Sequence, residues 1–539
     1  MPPIETRPHP SKHRALHATQ PFKPSQIIHT FHPLILHPSL SQLASVCTHC
    51  LRPGSPRACS RCHAAYYCNT SCQQAAWTAV HSKECKALQQ RKLGSRTGAD
   101  LPTPVRALLQ TLLNKEIEDG IAALDGHTEE RRKTKSWPDL EMMAMAAWAF
   151  AGRQGESNIR LAVELLCKIQ TNAFHRWDVD LGQVGVFLEP TLAMANHSCV
   201  PNAVVQFVGR KAILRAERPI QAGDEIEISY TGAFRTIPPS PPGQTGPVNT
   251  HADYTMPLSA RKEALEQYSF ECTCARCKGD LNVYQVRTAY LYPSTYSVAD
   301  VSGGDEHPAV TDKTTQDVAA RYTAEPARLP DSLPARYAAL KAQYRLSRRL
   351  ADARLWAVSP VPQLLAETAI YFAERDDFPC ALAVTALAAT SCDPFRYAAP
   401  FHPVRLKNLF MMAKLLANTA EGTGNTAARG GLDQKLQDTL SNIDQVSLCQ
   451  MLLIMVIKMC PGELADWELS VAAREMLADI GKLPGREKEL SLINAWAADG
   501  DAEASRLFFE YAVVRQVGVL AGIGMEVVGI LEADSVSKG

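Results

Sequence analysis

The chain has 539 residues, 46% hydrophobic and 21% charged, an ordinary balance for a protein that buries about three or four domain-sized cores. Its 56 lysines and arginines equal its 56 aspartates and glutamates, which excludes a global field drawing in nucleic acid or a membrane. No uninterrupted apolar run reaches the roughly 18 residues a bilayer demands, and the N-terminus lacks the apolar core of a secretory signal. A chain made without export, in cytoplasm or nucleus or both, meets a reducing environment where cysteines serve metals or cores. Of 16 cysteines, seven fall between residues 47 and 85 and three between 272 and 277. That clustering points to metal.

Residues 1–26, rich in proline, histidine and lysine, are expected to start disordered, and 27–31 and 33–36 read as short strands. The next block carries Cys47-x2-Cys50-x8-Cys59-x2-Cys62-x5-Cys68-x3-Cys72-x8-His81-x3-Cys85. Zinc takes four sulfur or imidazole ligands in a tetrahedron, so eight ligands make two ions. The x3 spacings predict that Cys68/Cys72 and His81/Cys85 each share one face of a helix. The block is too short and polar to hold together without metal. His49 and His63 lie off the pattern and are expected in solvent.

From residue 104 the pattern turns helical over 105–121, 139–152 and 157–170. Strand character returns at 185–187, 203–208 and 212–216, the last two joined as a hairpin across Gly209-Arg210-Lys211. Residues 194–202 (MANHSCVPN) set an amide, an imidazole, a hydroxyl and a thiol in a row, and Pro201 stops any helix. In 223–230, Ile226, Ile228 and Tyr230 alternate with Glu225, Glu227 and Ser229, which reads as a half-buried strand with Tyr230 at its inner end. Stretches 236–250 and 300–313 read as loops. Cys272, Cys274 and Cys277 offer three thiolates where a closed zinc site wants four. Beyond about 325 the chain reads as helical, over 334–357, 362–374, 379–392 and 403–420, with two more helices after a break at 421–433. Paired helices suggest a tetratricopeptide-like array, without a clean repeat of about 34 residues. Cys167, Cys380, Cys392, Cys449 and Cys460 lie in apolar helical runs and are expected in cores.

Asn196-His197-Ser198-Cys199-x-Pro201-Asn202 followed by Gly223-Asp224-Glu225-Ile226-x-x-Ser229-Tyr230 closely resembles the catalytic core of SET-domain protein lysine methyltransferases. Tyr268-x-Phe270-x-Cys272-x-Cys274-x-x-Cys277 is similar to that family's post-SET segment. The order of parts over about 10–278 resembles the SET and MYND-domain (SMYD) methyltransferases.

The resemblance implies an α+β multidomain protein: a β-rich SET fold split by a MYND zinc finger and a helical insert, a zinc-binding post-SET segment, and an all-helical TPR-like C-terminal domain. Its boundaries would be 1–46 (tail and first part of the SET domain), 47–85 (finger), 86–170 (helical linker and insert) and 171–235 (catalytic core). A Pro/Gly-rich loop and helix at 236–267, the post-SET segment at 268–278 and the helical domain at 279–539 complete it. Cross-bracing implies Cys47, Cys50, Cys68 and Cys72 on one ion and Cys59, Cys62, His81 and Cys85 on another. Cys199 would join Cys272, Cys274 and Cys277 on a third.

The implied activity is S-adenosylmethionine-dependent N-methylation of lysines on histone or other proteins. Tyr230 would be catalytic, with Lys12, Arg14, Asn172, Asn196, His197, Tyr230, Tyr268 and Phe270 around the cofactor. Such transfer needs a neutral amine, favoured by desolvation beside a positive sulfonium, and a preorganised approach. A protein or peptide lysine substrate, a peptide partner at the finger, no membrane and a monomeric state follow from the same resemblance. Arg52, Arg57, Arg61 and Lys83 are too scattered for a nucleic-acid finger. One departure stands out. Where the family carries a KGRG-like segment, this chain has Lys12-His13-Arg14-Ala15-Leu16, and side chains in place of both glycines are expected to crowd the cofactor's methionine end. A catalytically inactive SET–MYND scaffold recruiting protein partners, to chromatin for example, is the competing reading.

Overall fold

The computed structural model describes residues 2–90, 101–153, 159–178, 182–231, 254–287, 298, 307–322, 329–420 and 431–532. The chain divides into two units, Met1–Asp253 with Lys262–Cys272, and Tyr254–Arg261 with Thr273–Gly539.

The first unit opens on an antiparallel hairpin, β1 (Ile4–His9) and β2 (His13–Ala18), in register from Ile4↔Ala18 to His9↔His13. The tail expected to be disordered is therefore ordered. Ile4, Leu16 and Ala18 are buried, and His9 Nδ1 accepts from the amides of Ser11 and Lys12 to close the turn. A second sheet orders β10 (Ala203–Val208), β11 (Lys211–Ala216) and β3 (Ile27–Phe31). Its tight turn holds Gly209 at φ +51°, a left-handed conformation that costs glycine least. The third sheet orders β4 (Ile35–Pro38), β8 (Gly182–Leu188) and β7 (Phe174–Asp178). Leu16, Phe31, Phe187, Leu214, Ile226 and Ile228 share one core beneath these strands. Half-buried strand character at 223–230 reduces to two paired residues, β12 (Glu227–Ile228), parallel to β9 (Asn196–His197).

Between the strands stand the finger, with its β5 (Arg57–Ala58) and β6 (Tyr66–Tyr67) pair, and a helical insert. The insert comprises Thr103–Leu113, Lys115–Gly120, Thr128–Arg132, Trp137–Phe150 and Ile159–Asn172. Thr103–Leu113 buries eight residues and anchors this core, Arg106 and Gln110 among them.

The second unit is helical. Leu333–Asp352, Val361–Ala373, Phe378–Ser391 and Pro403–Ala420 fall where the sequence places them. The first three carry proline in their opening turn, where its missing N–H costs nothing. After the break, more than the expected two helices follow: Gly431–Asn442, Gln445–Lys458, Glu468–Ile480, Glu487–Ala498, Glu503–Phe509 and Arg515–Glu532. Short polar breaks at 443–444 and 499–502 divide what composition alone runs together. The stretch 236–250 lies outside the described residues, as do 300–306; in the second expected loop, Pro308–Thr311 is a helical turn.

Among the described residues two helices, Phe378–Arg396 and Glu503–Glu532, are by length and composition long and apolar enough to cross a bilayer, which corrects the reading of the sequence. An unbroken apolar run is a stricter demand than a high average with few charges. Both have packing partners: a Cβ at Gly524 would meet Ala383 O at 2.4 Å, so only glycine lets these backbones approach so closely. Cys380, Cys392, Cys449 and Cys460 are buried here and Cys167 in the first unit, all as expected.

Candidate active site and metal centres

The finger is built from two equivalent knuckles. After Cys47-x2-Cys50 the chain passes through Leu51 at φ +53°, and after Cys59-x2-Cys62 through His63 at φ +54°. In each, the amide four residues on returns to the first cysteine's carbonyl, Leu51 N to Cys47 O at 2.8 Å and His63 N to Cys59 O at 3.0 Å. The left-handed residue turns both thiols of a pair inward.

Cys47, Cys50, Cys68 and Cys72 bring their sulfurs within 4.8 Å of one another, and Cys59, Cys62, His81 and Cys85 do the same with their ligand atoms. Bonds of about 2.3 Å to a tetrahedral zinc would space sulfurs roughly 3.8 Å apart. Cys50–Cys68 stands at 3.9 Å, Cys68–Cys72 at 3.5 Å, Cys59–Cys85 at 3.9 Å and Cys62 to His81 Nε2 at 3.6 Å. These fit zinc, and none approaches the ~2.05 Å of a disulfide. Cys72 lies on the helix Thr70–Ala76, but Cys68 precedes it, with Asn69 between them accepting from the Cys72 amide at 2.8 Å. The shared helix face expected for that pair is thus replaced by a cap. Of the two off-pattern histidines, His63 is exposed, whereas His49 is half-buried and its carbonyl accepts from Arg210 at 2.6 Å.

The second constellation gathers around Tyr230. Its amide donates to His197 Nδ1 at 3.0 Å and its phenol to Ala195 O at 2.9 Å. With Nδ1 accepting, the His197 proton sits on Nε2, which faces Cys199 Sγ at 3.2 Å. Asn202 straps the two segments together, its amide nitrogen donating to Glu225 O at 2.8 Å and its oxygen accepting from Glu227 N at 2.8 Å. The Tyr230 ring meets Tyr268 at 4.9 Å, His197 at 5.5 Å and Phe270 at 6.1 Å. Burial lifts the Tyr230 phenol above the usual tyrosine range, with Tyr268 and Glu225 adding to it. Tyr268 is pushed up to about 12 by burial, against the pull of Arg131. Both phenols are neutral at physiological pH.

Lys12 donates to Glu225 at 3.0 Å and to Glu227 at 3.2 Å. Asn196 donates to the same Glu225 at 2.8 Å and to Arg14 O at 2.9 Å. The Arg14 guanidinium is engaged with Ala123 O. His13 adopts φ +62°, the conformation a glycine would take freely, while Ala15 and Leu16 are wholly buried. Asn172 donates to Asp125 O at 2.7 Å and Lys168 O at 2.8 Å.

Four groups escaped sequence reasoning. Asn202 and Glu225 are in the quoted motifs, but only folding reveals their strapping role. Arg131 reaches Thr171 Oγ1 at 3.0 Å and Gln267 O at 3.3 Å, tying the segment before Tyr268 to the end of the insert. Glu84, buried behind His81, is the fourth.

Comparison with known proteins follows this geometry. The MYND finger family model matches residues 47–85. The chain is 29% identical over 280 residues to the histone-lysine N-methyltransferase ASHR1 of Arabidopsis thaliana, covering 50% of this chain and 53% of that protein. It is 28% identical over 285 residues to the histone-lysine N-methyltransferase SMYD3 of Homo sapiens, covering 49% and 58%. With the SET domain and MYND-type zinc finger protein 6 of Schizosaccharomyces pombe it shares 30% over 246 residues, covering 45% and 44%.

Over about half of its length the chain is similar to SET and MYND-domain proteins, and its residues 47–85 match the MYND finger model. It spans about half the length of the curated relatives it matches. The finger's two ligand sets fit zinc by the spacings above. An S-adenosyl cofactor carries an α-amino acid zwitterion. Lys12 and Glu225, 3.0 Å apart, with Asn196 donating to the same Glu225, offer a cation and a carboxylate, the right chemistry for both charges of such an end. The residues fit the group.

Proposed function

We propose that this chain is an S-adenosylmethionine-dependent protein-lysine N-methyltransferase whose acceptor is a lysine on a histone or another protein. The observation that carries the reading is the double tether of Tyr230, amide to His197 and phenol to Ala195 O, beneath the rings of Tyr268 and Phe270. The names of the relatives point the same way. S-adenosylmethionine, when bound, supplies an electrophilic methyl group on a positive sulfonium.

In this reading Asn196 and His197 present the cofactor contacts, joined by Asn172, with Lys12, Arg14 and Glu225 toward the amino acid end. The Tyr230 phenol, kept neutral by burial, orients the incoming amine together with Ala195 O and does not remove its proton. Tyr268 and Phe270 exclude water and favour an uncharged lysine. Cys199 lies 4.0 Å from Cys272 within the first unit, which supports the reading of both as ligands of a third zinc ion. The helices of the second unit are read as TPR-like. At the finger, exposed Trp77 under the Arg61 guanidinium offers a surface for a peptide partner.

Calorimetric titration of zinc-replete protein with S-adenosylmethionine tests the proposal. Saturable binding that Asn196→Ala weakens is expected; no binding to the wild-type protein ends the enzyme reading.

A further inference from the structure

His81 approaches the finger's second ligand set with Nε2, 3.6 Å from Cys62 Sγ, and turns Nδ1 toward Glu84 Oε2 at 2.9 Å. A metal-bound imidazole is neutral, so its single proton sits on the nitrogen facing away from the ion. A carboxylate at that nitrogen fixes both the tautomer and the ring plane. Glu84 is itself held firmly. Its Oε1 accepts from Arg106 Nε at 3.0 Å, Arg106 Nη2 at 2.7 Å and Gln110 Nε2 at 3.2 Å. Arg106 Nη1 donates to Ala64 O at 2.8 Å, and the Ala64 amide in turn points at Cys62. His81, Glu84, Arg106 and Gln110 are all buried. Arg106 and Gln110 lie one turn apart on Thr103–Leu113, which belongs to the helical insert and not to the finger.

We infer that Glu84 is a positioning residue for the second metal set, aiming His81 Nε2 at the three sulfurs, and that Arg106 and Gln110 make this ion part of the insert's core as well as the finger's. The inference rests on the zinc reading of the finger. The first set consists of four cysteines and has no imidazole to orient. An ion held only by the finger would need neither a buried carboxylate nor a guanidinium from another segment. Here one chain of contacts runs from the ion site to the middle of the insert's most buried helix.

The experiment is chelator competition on the full-length, zinc-loaded chain. Glu84→Gln is expected to weaken the second set about 10- to 100-fold while the first set keeps its affinity, so one ion leaves ahead of the other. Glu84→Asp should recover part of the loss. In cobalt-substituted protein the absorption of the imidazole-bearing set should shift in Glu84→Gln, and that of the all-sulfur set should not. Gln110→Met, which spares the Glu84–Arg106 pair, should weaken the same site to a smaller degree, and keeps the test standing if Glu84→Gln does not fold. Unchanged affinity in these variants, or equal weakening of both sets, overturns the inference. A wild-type finger that binds no zinc would overturn the metal reading instead.

Discussion

In the finger, ligands a few residues apart converge on two points, and the knuckle hydrogen bonds serve mainly to aim sulfurs. Around Tyr230 no single element holds the site. A carbonyl at 195, a ring at 197 and a strap at 202 from one segment, and two aromatics at 268 and 270 from another, meet Tyr230 of a third through hydrogen bonds and ring contacts. The first arrangement concentrates its stability in the metal. Apart from the ion proposed at Cys199, the second spreads it over many small terms, so those contacts should fail by degrees where the finger fails at once.

Zinc removal should break the comparison open most widely. Structural zinc contributes on the order of 10–16 kcal/mol in isolated finger peptides. Chelation is therefore expected to abolish hydrogen-exchange protection over 47–85 while the β10–β11 amides stay protected. Simultaneous loss of both regions would mean that the finger is not a separately metal-held element.

A smaller effect is expected from Asn202→Ala. It removes two hydrogen bonds that strap Glu225 and Glu227, one of them leaving a backbone amide exposed to a cavity, at a cost of about 2–3 kcal/mol. Urea unfolding with and without bound zinc measures it. A loss should be seen in both, because neither of the Asn202 hydrogen bonds has a partner in the finger.

Acid sharpens the contrast further, since protonated thiolates release metal while buried histidines resist charging. His402 is fully buried, stacked on Tyr397 at 4.3 Å, and burial, aided by Arg405 and Arg396, holds it down to about 3. Its unfolded value lies near 6.5, so the unfolded chain takes up the proton first. The stability it contributes is complete above about pH 6.5 and is lost as pH falls toward 3, at up to roughly 1.4 kcal/mol per unit. His402→Phe should remove that slope from the unfolding profile and leave zinc release unaffected.

What could be read in advance follows the same division. Cys-x-x-Cys pairs and a His-x3-Cys carry their geometry in local spacing, so the eight candidate ligands of the finger were legible from spacing, while their division into two sets came from the resemblance. The partners of those ligands were not: Glu84 reads as one more surface acid until Arg106, from another helix, is laid against it. The N-terminal hairpin was missed because Pro8 and Pro10 argue against order, whereas Ile4, Leu16 and Ala18 pay that cost by burial in a core supplied by distant strands. Two residues of β12 were anticipated as a longer strand, because alternation reports burial and not pairing. Tyr230 was legible only through resemblance. Nothing local foretells that its amide would meet His197.

The central claim is that the neutral phenol of Tyr230 orients a lysine amine at a cofactor site built on Asn196 and His197. Transfer of a labelled methyl group from S-adenosylmethionine to protein lysines, compared between the wild-type chain and Tyr230→Phe, tests it most directly. The account predicts transfer by the wild type and a rate lower by on the order of 100-fold in the variant, with the melting curve nearly unchanged. Equal rates and products from both, or no transfer by the zinc-loaded wild type to any protein lysine offered, would contradict it.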